Sequence, residues 1–78
     1  MYTFRKLPSH KIKSKDELNY RSLSIKQWLK IERSNKDYLV IIKDKLYFSK
    51  DDKNLDRLIF ERLSYEIASN VEIYSLKY

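Results

Sequence analysis

The sequence predicts a single small α+β domain, and three observations point there. Seventy-eight residues allow one core. Apolar residues switch along the chain between strand-like alternation and a stripe at helical spacing. Two Ser-x-x-Glu/Gln boxes mark helix starts between the strand candidates. The expected order is β-α-β-β-α-β over a single domain 1–78. With right-handed crossovers this order suits the ferredoxin-like arrangement, a four-stranded antiparallel sheet with two helices on one face. The alternative is an α-β-β-α-β core preceded by a basic N-terminal arm, residues 1–24.

Tyr2-Thr3-Phe4-Arg5-Lys6-Leu7 reads as a short first strand, stopped by Pro8, which lacks a donor and restrains the residue before it. Residues 9–24 carry the weakest pattern. Ser14-Lys15-Asp16-Glu17 has capping-box form and opens a helical turn at Lys15, while Ser22 and Ser24 weaken its continuation. Ser24-Ile25-Lys26-Gln27 is a second capping box and begins a helix from Ile25 to about Ser34, with Ile25, Trp28 and Leu29 expected on its core side. Two short helices, one kinked helix, or a loop and a helix all satisfy this stretch.

Asn35-Lys36-Asp37 ends that helix. Tyr38–Lys43 is rich in β-branched and aromatic residues and reads as a strand, with Leu46–Ser49 as its hairpin partner. With Asp44-Lys45 as a two-residue loop, Leu39, Ile41, Leu46 and Phe48 share one face, and Tyr38, Val40, Ile42 and Tyr47 the other. The chain has no glycine, so a tight type I′ turn is strained and a longer loop serves equally. Ser49 and the pair Asp51-Asp52 mark the next helix start, because carboxylates favour the positive end of the helix dipole. From Asn54 to about Ser69 the residues Leu55, Leu58, Ile59, Leu63 and Ile67 form one stripe with Phe60 at its edge, and Arg62 and Glu66 stand at ion-pair spacing within it. Val71–Lys77 alternates as the last strand.

Composition excludes several functions. Without glycine there is no Gly-rich phosphate loop and no dinucleotide fingerprint. Without cysteine there are no disulfides and no Cys-containing zinc site, which fits a reducing, cytoplasmic compartment. No signal-like segment is present, and the longest apolar run, Leu39-Val40-Ile41-Ile42, is far too short to span a membrane. A chain of this length buries roughly 60% of its unfolded surface, so homodimerisation is one route to added stability. His10 is the only histidine, and its lysine-rich surroundings suit a solvated loop better than a catalytic triad. Asp51, Asp52 and Asp56 are explained by their place at a helix start. No cofactor, metal or catalytic residue is therefore expected.

The charge map is the clearest functional signal. Residues 1–36 carry ten Lys/Arg against three Asp/Glu, while residues 37–78 carry seven against eight. An AT-rich coding sequence inflates lysine by itself, since Lys, Ile, Asn, Tyr and Phe make up 34 residues, but it does not concentrate the surplus in one half. Arg5, Lys6, Lys11, Lys13 and Lys15 fall within eleven residues with no acid among them, and Lys26, Lys30 and Arg33 project from one side of the helix that begins at Ile25. Together they suggest a phosphate-contacting surface. Tyr2, Phe4, Tyr38, Tyr47, Tyr74 and Tyr78 lie on expected strands, where an open sheet face stacks on unpaired bases or docks a protein. The expected function is a small non-enzymatic nucleic-acid-binding or regulatory protein. The alternative is a phage-type inhibitor or adaptor that docks on an acidic surface of a host nucleic-acid-handling protein and anchors through Tyr38, Val40, Ile42 and Tyr47, in which case the compartment is the host cytoplasm. A metal-independent RNase is a minor third reading.

Overall fold

A computed structural model of the chain describes residues 12–65 and 70–77. Its elements are β1 (Ile12–Ser14), α1 (Lys15–Leu18), α2 (Ile25–Arg33), β2 (Tyr38–Ile42), β3 (Lys45–Ser49), α3 (Asp52–Tyr65) and β4 (Val71–Ser75). The domain is α+β, and its described residues form a four-stranded mixed sheet and three helices. The strand expected at Tyr2–Leu7 lies outside the described residues. The observed first strand comes from the stretch with the weakest sequence pattern.

Local hydrogen bonds explain where the helices start. Ser14 Oγ accepts the Glu17 N–H at 3.4 Å and caps α1. Both halves of the second box form: Ser24 Oγ accepts the Gln27 N–H at 3.2 Å, and Gln27 Oε1 accepts the Ser24 N–H at 2.9 Å. Asp51 Oδ1 accepts the Asn54 N–H at 2.8 Å and opens α3. Such caps each contribute about 0.5–2 kcal/mol. The buried side of α2 differs from expectation. Ile31 is buried and Trp28 half-buried, whereas Ile25 is 81% and Leu29 48% exposed. The helix rests on the sheet through the i, i+3 pair Trp28 and Ile31, which turns Ile25 and Leu29 outward.

Strand order is β1-β4-β2-β3, with β1 parallel to β4 and the other pairs antiparallel. The ferredoxin-like arrangement is therefore not adopted. The sheet is mixed, β2 rather than β3 is the inner strand of the hairpin, and the helices lie on both faces. On one face α3 buries Leu55 and Ile59 against Val40, Ile42, Val71 and Ile73. On the other, Leu18 and Ile31 pack with Leu39, Ile41 and Tyr74, flanked by Trp28, Leu46 and Phe48. The physical reason lies in β2. Leu39, Val40, Ile41 and Ile42 are apolar without alternation, so a strand covered on one side only would leave two of them in water. All four are buried, and they make up four of the eleven buried apolar residues among those described. At about 1.5–3 kcal/mol for each fully buried aliphatic side chain, this strand demands the centre of the sheet. The alternating, lysine-started β3 takes an edge.

The hairpin closes tightly despite the missing glycine. Ile42 pairs with Lys45, and the loop residues Lys43 and Asp44 both adopt left-handed backbone, with φ of 51° and 64°. Two positive φ values suit the twist of a two-residue hairpin but cost a non-glycine residue about 1–2 kcal/mol, less for Asp. The pairing sits two residues from the Asp44-Lys45 register. Because the shift is even, Leu39, Ile41, Leu46 and Phe48 still share a face.

Candidate nucleic-acid interface

The phosphate-contacting residues expected from the sequence separate into three groups. Arg5, Lys6 and Lys11 lie outside the described residues, as does His10. Lys13 and Lys15 lie on β1 and at the start of α1, where Lys13 Nζ stands 5.9 Å from the centre of the Tyr74 ring. Lys26, Lys30 and Arg33 are exposed on α2 at i, i+4 and i+7 spacing, which makes one stripe. Among the described strands β1 and β3 are opposite edges of the sheet, and the C-terminal end of α2 lies beside β3. Lys13 and Lys15 are thus not gathered with Lys30 and Arg33.

The fold adds residues that spacing along the chain does not reveal. Where α2 ends, Lys30, Arg33, Ser34, Asn35, Lys36 and Phe48 line a groove of about 400 Å³, and no carboxylate is among them. A second groove of about 280 Å³ adjoins it around the β3 edge. It shares Lys36 and Phe48 and reaches Lys50, Asn54, Arg57 and Glu61. Arg57 Nε is 3.3 Å from Glu61 Oε1, so that acid has a cationic neighbour along α3. Among the described residues Lys26, Lys30, Arg33, Lys36 and Lys50 have no ion-pair partner. The helix accommodates Lys30 and Arg33 readily, because cations in the last turn complement the dipole. Phe48 belongs to a different element from the stripe, so no spacing rule could have joined it to Lys30, Arg33 and Lys36.

The expected sheet interface is corrected. Val40 and Ile42 are fully buried beneath α3. Tyr38 donates its hydroxyl to Asp52 and lies under Lys77 Nζ, 5.1 Å from the ring centre. Tyr47 is half-buried, with the Arg62 guanidinium 4.6 Å from its ring centre. Arg62 therefore faces a ring, and its expected partner Glu66 falls outside the described residues. Tyr74 is buried at the opposite face, and Tyr2, Phe4 and Tyr78 lie outside the described residues. Both sheet faces are covered, and neither offers an open row of tyrosines. The acids at the start of α3 likewise have local roles, Asp51 as a cap and Asp52 as the acceptor for Tyr38. Among the described residues no three His, Cys, Asp or Glu converge as a metal site.

A different ionic cluster occupies the hairpin end of the sheet. Arg21 pairs with Glu72 and with Asp44 Oδ1, the latter at 3.0 Å, and Tyr74 donates its hydroxyl to Glu72 Oε2 at 3.2 Å. A cavity of about 260 Å³ lies against it, lined by Arg21, Lys43, Asp44, Asn70 and Glu72 among others. Burial works to lower the Arg21 pKa, but the adjacent Glu72 charge and hydrogen bond leave it raised. Burial, reinforced by the Glu72 charge, pushes the Tyr74 hydroxyl up. Arg21 belongs to the basic half of the sequence, yet its charge is spent inside the fold. No helix among the described residues is long and apolar enough to cross a membrane. Comparison with family models, with curated proteins and with solved structures returned no match.

Proposed function

We propose that this protein is a small, non-enzymatic nucleic-acid-binding protein of the cytoplasm, which contacts phosphates through the outer side of α2 and the groove at its C-terminal end. One observation carries the reading: Lys26, Lys30, Arg33 and Lys36 stand exposed within one helix and its exit, with no ion-pair partner among the described residues and a single acid, Glu32, on that helix. Unneutralised cations of this kind attract a polyanion, and their affinity derives largely from counterion release.

The test is fluorescence anisotropy with labelled random single- and double-stranded DNA and RNA at low and near-physiological salt, on the native protein and on Lys26→Glu/Lys30→Glu/Arg33→Glu. The native protein should bind at micromolar concentration or tighter at the higher salt. The triple variant should bind at least about a hundredfold more weakly. Its log K against log salt should be shallower by about 0.9 for each duplex phosphate that it no longer neutralises. Equal affinity in the two proteins sinks the assignment of this face, and no binding at near-physiological salt sinks the function.

One feature favours a second reading. Ile25 and Leu29 stand exposed beside the same cations, a mixture of apolar and basic residues that suits docking on an acidic protein surface. A variant Ile25→Ser/Leu29→Ser with undiminished nucleic-acid affinity but impaired biological activity would favour that reading.

A further inference from the structure

We infer that the groove lined by Phe48 at the end of α2 seats an unpaired base, so that the preferred ligand is single-stranded nucleic acid. The inference rests on the nucleic-acid reading above and specifies its substrate class. Phe48 is half-buried on the edge strand β3 and lines both grooves that meet there. On the α2 side Lys30, Arg33 and Lys36 surround it without a carboxylate. Their aliphatic stems make apolar walls while their charged ends reach water. The volume of about 400 Å³ lies within the usual range of small-molecule pockets.

Cations beside an aromatic side chain match the two chemical parts of a nucleotide. Phosphates take the charges, and the base takes the ring. A duplex satisfies only the first, because its bases are paired and stacked inside. Among the described residues strand β3 has no neighbour on its outer side, so a flexible polymer can pass from the α2 groove around the edge to Lys50. Glu61, the acid in that second groove, is held by Arg57 at 3.3 Å and presents little net repulsion. An acidic peptide matches the cations equally well, but it makes no particular use of the ring. For that reason the geometry favours the nucleotide.

The experiment compares an oligonucleotide of about 12 nucleotides with its duplex at near-physiological salt, for the native protein, Phe48→Leu and Phe48→Tyr. The native protein should prefer the single strand by about tenfold or more, as one stacked base is worth. Phe48→Leu should lose about tenfold on the single strand and keep its duplex affinity. Phe48→Tyr, which retains a ring, should keep the preference. Should Phe48→Leu fail to fold, a 5-bromouracil-substituted strand irradiated with the unaltered protein decides the matter: crosslinking at Phe48 supports the seat, and crosslinking wholly elsewhere overturns it. Equal native affinity for single strand and duplex, or a preference that survives Phe48→Leu, overturns this inference and leaves the nucleic-acid reading standing. Poly-glutamate binding as tightly as the single strand overturns it in favour of an acidic peptide. Failure to bind any strand removes both.

Discussion

The two ends of the sheet treat positive charge in opposite ways. At the hairpin end Arg21 meets Glu72, Asp44 and a buried tyrosine, with its side chain only 24% exposed. At the other end Lys30, Arg33 and Lys36 surround Phe48 with no carboxylate lining their groove. The first arrangement fastens the turn after α1 to β4 and to the hairpin. The second leaves its cations without an acid partner among the described residues. A cation already matched by acids has little left to offer a polyanion, so the location of unmatched charge says more about function than the total does.

This contrast can be broken most sharply at Arg21. Arg21→Ala should cost about 1–3 kcal/mol, because Glu72 then keeps its partly buried position without its partner. In a domain of this size each kcal/mol lowers Tm by about 4–8 °C. Nucleic-acid affinity should not change. Lys30→Ala/Arg33→Ala should do the reverse, shifting stability by less than about 0.5 kcal/mol while weakening binding. Thermal unfolding followed by Trp28 fluorescence, together with anisotropy on the same samples, checks both. If Arg21→Ala loses binding as severely as the α2 pair, the division between the two ends is wrong.

A smaller effect concerns pH. The Tyr74 hydroxyl is raised by burial and by Glu72, and the Tyr38 hydroxyl by its bond to Asp52. A raised folded pKa means that the native state holds the proton more tightly. The associated stability is fully present below the unfolded value near 10 and disappears as pH rises through the folded value. Denaturant unfolding should therefore show a decline above about pH 10, and Tyr74→Phe should flatten it. An unchanged alkaline slope in that variant would remove Tyr74 from the account.

The smallest effect lies in the hairpin. Lys43 holds φ of 51° without being glycine, asparagine or aspartate. Lys43→Asn should stabilise by about 0.5–1 kcal/mol, since asparagine tolerates this conformation better. Binding at the far end of the sheet should stay the same. A destabilised Lys43→Asn would show that the lysine has an interaction outweighing its strain.

Features governed by near neighbours were legible in the sequence. The capping box at Ser24 forms in full, Ser14 caps α1 through its hydroxyl alone, and Asp51 opens α3. The stripe from Leu55 to Leu63 faces the core, and the even period of β2 and β3 places Leu39 with Phe48 whatever the turn register. Lys26, Lys30 and Arg33 share a helix side because their spacing requires it. The exclusions also followed directly from composition, since glycine-rich and cysteine-based sites need residues the chain lacks. The run Leu39–Ile42 carries a further signal beyond being too short for a membrane span: four apolar residues without a break call for cover on both faces.

Which strands are neighbours, which faces are open and which charges meet were settled by tertiary packing alone. Arg21 and Glu72 are 51 positions apart, and Phe48 reaches the α2 cations across a strand-to-helix groove. Such meetings come from competition among burial options over the whole chain. β2 takes the centre because it alone presents four consecutive apolar residues, and that choice leaves β3 at the edge and closes the tyrosine faces. Local pattern rules act over a few residues at a time. They can position an element, but the best use of a limited apolar surface is settled by all of the elements together.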